Sequence, residues 1–365
     1  MRKIAMTTTA LAGAALLALA GCGGGRADTA TDPSAEAGFA ADSTIGIALP
    51  SKTSENWVLA GKLFEDGLKE AGFKGDVQYA GASAPVKDQQ DQISAMVTNG
   101  AKVIIIGAAD GGQLGTQVKA AKDAGAIVIA YDRLILNTED VDYYVAYDNF
   151  EVGKLQGQAL LDGMAAVKPA GPYNIELFSG SPDDANSKVF FGGAMEILQP
   201  KIDDGTLVVG SGQVEIEKTA TQGWKAENAQ SRMDSILTST YGDKTLDGVL
   251  SPNDTLGRAV ITSVKSQGKP IPVVTGQDSE VESVKSIMAG EQYSTINKDT
   301  RVLVAKAIEM ASVLQAGDMP EVNDEKSYDN GSKIVPAYLL KPVIVTKENA
   351  AEAYADDPLL SPLTK

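Results

Sequence analysis

The sequence of 365 residues contains no histidine at all. Histidine is the usual general base near neutral pH, a member of the Ser-His-Asp triad and the commonest zinc ligand. Its absence argues against most hydrolases and metalloenzymes. A single cysteine excludes an intrachain disulfide, so the fold depends on an ordinary core. Aromatic residues make up only 5%, with two tryptophans, and each tryptophan is therefore a candidate for a specific role.

Positive charge is also scarce, with 32 basic against 48 acidic residues and a formal net charge of −16. Such a chain repels phosphate backbones and anionic lipid surfaces, so we expect no nucleic-acid partner. No acidic D-x-[DN]-x-[DN]-G calcium loop occurs, and the glycines near 107–115 match neither a dinucleotide fingerprint nor a P-loop. We therefore expect neither a metal nor a cofactor.

The N-terminus has the features of an export signal. Arg2 and Lys3 precede an apolar run over residues 10–20, which has the length of a secretory h-region and is too short to span a bilayer. The run ends in Leu-Ala-Gly-Cys at 19–22, which resembles the lipobox of bacterial lipoproteins. We expect residues 1–21 to be a lipoprotein signal peptide.

Cys22 is then the lipidation site, and it would anchor the chain to the outer face of the cytoplasmic membrane. Residues 22–44 are rich in Gly, Ala, Ser, Thr and acidic residues. This composition is typical of a flexible tether. The lipid would be the protein's sole attachment to the membrane.

Short aliphatic runs alternate with amphipathic stretches from Ile45 onward, which predicts βα units and a parallel sheet. The predicted strands form two series, at 45–50, 77–82, 102–108 and 126–132, and at 173–180, 207–213, 248–254 and 272–278. Two such series indicate two similar lobes. A further helix at 300–316 and a strand-like segment at 333–345 suit a chain that crosses between the lobes more than once.

Polar side chains follow three of these strands and two further strand-like runs, YYVAY at 143–147 and YSTIN at 293–297. Ligands of open parallel sheets bind outside the carboxyl ends of the strands. Asp and Asn at such points also cap helices and begin turns, but capping does not explain an Arg or a Lys there. The groups at the strand ends are Asp132 and Arg133, Asp148 and Asn149, Asn253 and Asp254, Asp278, and Lys298.

The two tryptophans lie in polar company, Trp57 beside Asn56 and Trp224 four residues before Asn228. Core packing is the simplest role for a tryptophan. A pyranose, however, has an apolar C–H face and a belt of hydroxyls, and it requires flat aromatics together with planar hydrogen-bonding groups. The residues at the strand ends and the tryptophans together meet that requirement.

Several segments resemble the type I periplasmic sugar-binding proteins of ABC transporters, most of all the xylose-binding and multiple-sugar-binding branch. The resemblance runs from Ile45 to about Asn349. It is carried by IVIAYDRLI at 127–135, YDNFEVGKLQ at 147–156, YNIELFSGSPDDANS at 173–187, VLSPND at 249–254, the segment 272–301 and YLLKPVIVTKEN at 338–349.

The resemblance implies an α/β protein of two Rossmann-like lobes joined by a three-stranded hinge, with the sugar enclosed between them. The lobes would comprise 45–147 plus 299–329, and 148–298 plus 330–365. The family's sugar contacts match Asn56, Trp57, Asp132, Arg133, Asp148, Asn149, Asn186, Trp224, Asn228, Asp254 and Lys298. Asp278 could be a ligand or part of the hinge.

The expected function is capture of a neutral monosaccharide of the xylose, galactose, glucose or arabinose class and its delivery by a monomer to ABC permease subunits. The related pattern often has Arg where this chain has Asn56, so the predicted pocket has one excess negative charge and should disfavour uronic acids. The alternative is a sugar-sensing receptor that presents its ligand to a sensor kinase or chemoreceptor. A glycosidase is disfavoured, because carboxylates near Arg133 or Lys298 should have depressed pKa values.

Overall fold

The computed structural model describes residues 38–52 and 54–365. The predicted signal peptide, Cys22 and most of the predicted tether lie outside these residues. In the part of the chain that is described, no helix is long and apolar enough to cross a bilayer.

The first sheet has six parallel strands, and the aliphatic side chains of its four inner strands are buried on both faces. One face packs against helices α2 (Pro85–Thr98) and α3 (Gly115–Asp123), and the other packs against α1 (Glu55–Glu70) and α10 (Thr300–Gln315). The strands, in spatial order, are β11 (Ala337–Leu340), β5 (Tyr143–Tyr147), β4 (Ile127–Tyr131), β3 (Val103–Ile106), β1 (Thr44–Leu49) and β2 (Lys74–Tyr79).

The second lobe is built on a four-stranded parallel sheet and an antiparallel pair. The sheet has the order β7 (Leu207–Val209), β6 (Tyr173–Leu177), β8 (Gly248–Leu250) and β9 (Val273–Val274), and the pair is β10 (Ser294–Asn297) with β12 (Val343–Thr346). Its helices are α4 (Asn149–Val167), α5 (Ala185–Asp203), α6 (Ile216–Thr219), α7 (Ala226–Thr240), α8 (Asp254–Ser266), α9 (Val281–Ala289) and α11 (Ala350–Ala353).

The backbones of α4 and α5 approach each other closely, and glycines make this possible. A Cβ at Gly153 would collide with the carbonyl of Phe190, and a Cβ at Gly193 would collide with the carbonyl of Phe150. This contact holds α5, whose first turn faces the space between the two sheets, firmly on α4.

The chain passes between the lobes three times, after β5, after β10 and after β11. The third passage corrects the expected boundary, which assigned all of 330–365 to the second lobe. Residues Ala337–Leu340 pair with β5, and the Asn330 side chain donates to the carbonyl of Ile135 at 3.1 Å. The apolar run at 333–345 is two strands in different sheets, because Pro342 lacks an N–H and ends the first of them.

The start of the first lobe differs from the sequence prediction as well. The predicted tether reaches residue 44, but the Phe39 N–H donates to the carbonyl of Gln315 at 3.2 Å and the Phe39 ring lies 6.4 Å from that of Phe73. Phe39 is the one large apolar residue of the predicted tether. The end of that segment therefore packs on the folded lobe.

Candidate functional site

A cleft of about 180 Å³ lies where the loops after the strands of the two sheets meet. Residues of both lobes line it, including both tryptophans. Because parallel strands present their carboxyl ends at one edge, the polar groups that follow them converge here.

The first lobe contributes Trp57, which lies in the first turn of α1 after the N-cap Ser54. The indole ring lies 6.1 Å from the ring of Tyr131 in an edge-on arrangement, and the Arg133 guanidinium lies 5.4 Å from the indole. A Cβ at Gly107 would lie only 2.9 Å from the indole, so glycine leaves the room that this ring occupies. Trp57 is half-buried and packs partly on the core of its lobe.

The second lobe contributes Trp224, which lies in a 3-10 turn before α7. Its indole N–H donates to Asp184 Oδ2 at 3.2 Å, and a Cβ at Gly180 would collide with the indole ring. The ring is half-buried as well and contacts the core of the second lobe. Each tryptophan thus combines packing on its own lobe with a place in the wall of the cleft.

Two buried ion pairs hold the charged groups of the cleft. Arg133 Nε of the first lobe lies 3.0 Å from Asp184 Oδ2 of the second. Lys298 Nζ, at the second passage between the lobes, lies 3.0 Å from Asp278 Oδ1 and 5.3 Å from the Phe190 ring. Pairing of this kind keeps the donors in fixed positions for a ligand.

The Asp132 carboxylate differs from these groups, because none of the described residues hydrogen-bonds to it. Burial raises its pKa above the ordinary value, although Lys298 and Arg133 act in the opposite direction. The expectation of a depressed pKa for this carboxylate is therefore wrong, since desolvation outweighs the two cations. Burial lowers the pKa of Lys298, but the nearby carboxylates Asp278 and Asp132 raise it by more. The pKa of Lys298 therefore lies above its usual value.

Three residues of the cleft have a left-handed backbone, a conformation that is costly for any residue but glycine. Their φ angles are 61° at Asp132, 55° at Trp224 and 98° at Asp278. The described residues include only two other non-glycine positions of this kind, Asn137 and Ser279. Three of these five strained positions thus line the cleft, where the left-handed backbone orients their side chains.

Direct hydrogen bonds also join the lobes across the cleft. The Asn186 amide donates to the carbonyl of Asp132 at 2.8 Å, and the Asn56 amide donates to the carbonyl of Asp278 at 3.4 Å. The two lobes are thus in contact around the cleft.

The structure brings seven of the eleven predicted contacts together in the cleft wall. They are Asn56, Trp57, Asp132, Arg133, Asn186, Trp224 and Lys298. The other four are not among the lining residues, and their side chains make hydrogen bonds within the protein.

Asp148 caps α4 by accepting from the N–H of Glu151 at 3.0 Å. Asn149 is 2% exposed, and its amide donates to the hydroxyl of Tyr144 at 3.2 Å. Asn228 is exposed and donates to the carbonyl of Gln222 at 2.9 Å.

Asp254 is fully buried behind the cleft, where it accepts from the Glu280 N–H at 2.9 Å, Gln292 at 2.8 Å and Thr295 at 3.0 Å. Burial raises its pKa well above the ordinary value, and the nearby Glu280 and Asp278 act in the same direction. Its neighbour in sequence, Asn253, lines the cleft in its place.

Sequence reasoning missed Asp184 and Asn253 as parts of the cleft and left Asp278 aside, although all three line it. Asp184 follows a strand end in the SPDD turn, and Asn253 precedes an Asp at another strand end. The strand-end position of both residues was therefore visible in the sequence. The sequence does not show, however, which of two neighbouring polar residues points into the cleft.

Comparisons with known proteins agree with this architecture. Residues 45–319 match the family described as a periplasmic binding protein domain. The multiple sugar-binding periplasmic receptor ChvE of Rhizobium radiobacter is 49% identical over 85% of this chain and 89% of its own. The D-xylose-binding periplasmic protein of Escherichia coli is 35% identical over 88% and 92%.

A solved structure is similar as well. An ABC transporter solute-binding protein from Clostridium phytofermentans with bound β-D-glucose has a TM-score of 0.83 and 41% identity, and the match covers 88% of this chain and all of that one. These relatives are substrate-binding receptors rather than enzymes. The chain belongs to the periplasmic binding protein family, with two α/β lobes of type I architecture.

Proposed function

We propose that this protein captures a neutral monosaccharide of the glucose, xylose, galactose or arabinose class between its lobes and delivers it to an ABC importer. One observation carries the proposal: two tryptophans and a set of fixed polar groups share a cleft of about 180 Å³. A cleft of this size suits a single sugar ring.

The chemistry of the lining matches a pyranose. Indole rings cover apolar C–H faces, while carboxylates, amides, Arg133 and Lys298 can bind the hydroxyls around the rim. Hydrogen bonds contribute about 0.5–1.5 kcal/mol each, and charged ones about 1.5–3. About eight such hydrogen bonds, after the free-energy cost of association is subtracted, give the binding free energy of roughly −8 kcal/mol that a micromolar complex has.

The charge of the lining favours an uncharged ligand. Four carboxylates face the cleft with two cations, which gives a formal excess of two negative charges rather than the one expected from the sequence. Arg133 and Lys298 are both occupied by carboxylates of the protein. A uronic acid would find no unpaired cation among these lining residues.

The relatives support transport of sugars, since similar proteins carry names that include multiple sugar-binding, D-xylose-binding and ABC transporter solute-binding. We further propose export and anchoring through lipidated Cys22. The 49% identical protein is named a receptor, which favours presentation of the sugar to a sensor kinase or chemoreceptor as the second candidate function.

A thermal-shift screen with D-glucose, D-xylose, D-galactose and L-arabinose tests the proposal. A sugar at one hundred times its Kd stabilises by about 2.7 kcal/mol, which corresponds to a rise in Tm of roughly 5 °C. Trp224→Ala should abolish the shift, because it removes the aromatic face of the second lobe. Phe150→Ala, which removes an exposed aromatic outside the cleft, should keep it.

The result against the proposal is a Tm that none of the four sugars moves in the wild-type protein. A shift that survives Trp224→Ala would show that the sugar binds elsewhere. A separate experiment tests delivery. We expect deletion of the partner permease to abolish the sugar uptake that depends on this protein.

A further inference from the structure

The hydroxyl of Tyr144 lies where the first lobe, the first passage between lobes and the second lobe meet. Tyr144 belongs to β5 and is fully buried, with its ring 4.9 Å from that of Tyr328. Its oxygen lies 2.7 Å from the carbonyl oxygen of Asp132, 3.2 Å from the amide nitrogen of Asn149 and 3.3 Å from Asn186 Oδ1. One phenol group thus contacts all three parts.

The direction of these bonds follows from the available protons. A phenol has one proton to donate, and the carbonyl of Asp132 is the nearer of its two acceptors. The Asn149 amide donates to the phenol oxygen. The hydroxyl keeps its proton at physiological pH, since the ordinary pKa of tyrosine is about 10 and burial raises the pKa of Tyr144 well above that value.

The carbonyl that accepts from Tyr144 belongs to Asp132, one of the three strained residues of the cleft. Asp132 has a left-handed backbone, and its carbonyl also accepts from the Asn186 amide of the second lobe at 2.8 Å. No described residue hydrogen-bonds to its carboxylate, so a shift of the Asp132 backbone would move that side chain without breaking a hydrogen bond to any of them. Asn186 reaches the carbonyl only when the lobes are together, whereas Tyr144 lies on the same lobe as Asp132.

We propose that Tyr144 is a positioning residue, which couples closure of the second lobe, through Asn149 and Asn186, to the orientation of the Asp132 carboxylate in the cleft. This inference rests on the proposed sugar-binding function. Tyr144 itself does not line the cleft and would not touch the sugar.

Tyr144→Phe tests the proposal, because it keeps the ring on Tyr328 and removes only the hydroxyl. We expect calorimetric titration with D-glucose and D-xylose to show about tenfold weaker binding. Stopped-flow tryptophan fluorescence should assign the loss to faster dissociation with an unchanged association rate, since closure follows encounter.

Two further variants separate positioning from general stability. Tyr241→Phe removes a buried hydroxyl that donates to Glu176 at 2.8 Å, away from the cleft, and should leave Kd unchanged whatever it does to Tm. As a single substitution, Asn149→Ala should weaken sugar binding about threefold. In the Tyr144→Phe background, the same substitution should change Kd less than twofold. Asn149→Ala also carries the test if Tyr144→Phe does not fold.

Affinity of Tyr144→Phe within twofold of wild type overturns the inference, as does an equal effect of Asn149→Ala in both backgrounds. The proposed function fails separately, if the wild-type protein binds neither sugar. Tight wild-type binding with an unaffected Tyr144→Phe variant would refute only the positioning role.

Discussion

At the scale of single residues, Asn56 is the position where a change of charge should alter ligand choice. Its side chain lines the cleft and donates to the Asp278 carbonyl at 3.4 Å. A guanidinium binds a carboxylate through two parallel hydrogen bonds, which an amide cannot do. It would also reduce the negative excess of the lining.

We therefore expect the wild-type protein to bind galactose more tightly than galacturonate, and Asn56→Arg to shift this ratio about tenfold toward the uronate. Paired calorimetric titrations with the two sugars measure the ratio. Asn56→Gln lengthens the side chain without adding charge and should leave the ratio as it is. Equal wild-type affinities for galactose and galacturonate would contradict the charge argument.

The sequence predicts the tryptophans and Arg133 better than it predicts the individual carboxylates. Tryptophan is rare in this chain, and an arginine directly after a buried strand has few structural uses, so their types indicate a ligand. An Asp at a strand end can cap a helix, fix a neighbouring loop or bind a ligand. Asp254 and Asp278 follow adjacent strands, and the direction of each side chain separates their roles.

At the scale of secondary-structure elements, the loop between β9 and α9 depends on the start of α8. This loop contains Asp278 and Ser279, both with left-handed backbone. Asp254, in the first turn of α8, accepts from the backbone N–H of Glu280, and the Thr295 hydroxyl that donates to Asp254 also accepts from the N–H of Ser279. The buried carboxylate thus fixes the loop that presents Asp278 to the cleft.

Asp254→Ala should lower the free energy of unfolding by at least about 2 kcal/mol, because it leaves three buried donors without an acceptor. It should also weaken sugar binding through the displaced loop. Asp148→Ala is the matched control, since it removes a single capping bond and should cost about 1 kcal/mol without changing Kd. Denaturant titration and calorimetry measure both quantities. If Asp254→Ala had the free energy of unfolding of the wild type, the proposed role of Asp254 in fixing the loop between β9 and α9 would be refuted.

The sequence also predicts most elements, since aliphatic runs and amphipathic periods each have one simple interpretation. The exception is the run at 333–345, which local pattern alone presents as a single strand. Its first half pairs with β5 and its second half with β10. Which sheet a strand joins depends on partners far away in sequence, and so the third passage between lobes could not be placed from the sequence.

At the scale of the whole molecule, two lobes share one cleft, and Phe39 is hydrogen-bonded to the first lobe near the end of α10. The proposed tether then comprises about 16 residues, and as a flexible coil it would span roughly 22 Å. A net charge of −16 gives the protein no electrostatic attraction to an anionic membrane surface. Retention at the membrane would therefore depend on the lipid.

The lipobox resemblance implies a diacylglyceryl group on Cys22, and its two acyl chains would suffice for stable anchoring, whereas a single chain gives only marginal binding. We expect the full-length protein, expressed in a bacterium that processes lipoproteins, to incorporate labelled palmitate and to partition into a detergent phase. Cys22→Ser should do neither, while Ser34→Ala, a change of similar size within the proposed tether, should behave like wild type. The sugar-induced rise in Tm should be the same in all three proteins, because the cleft lies entirely within the folded lobes. An unlabelled wild-type protein in the aqueous phase would refute the anchor and leave the sugar site untouched.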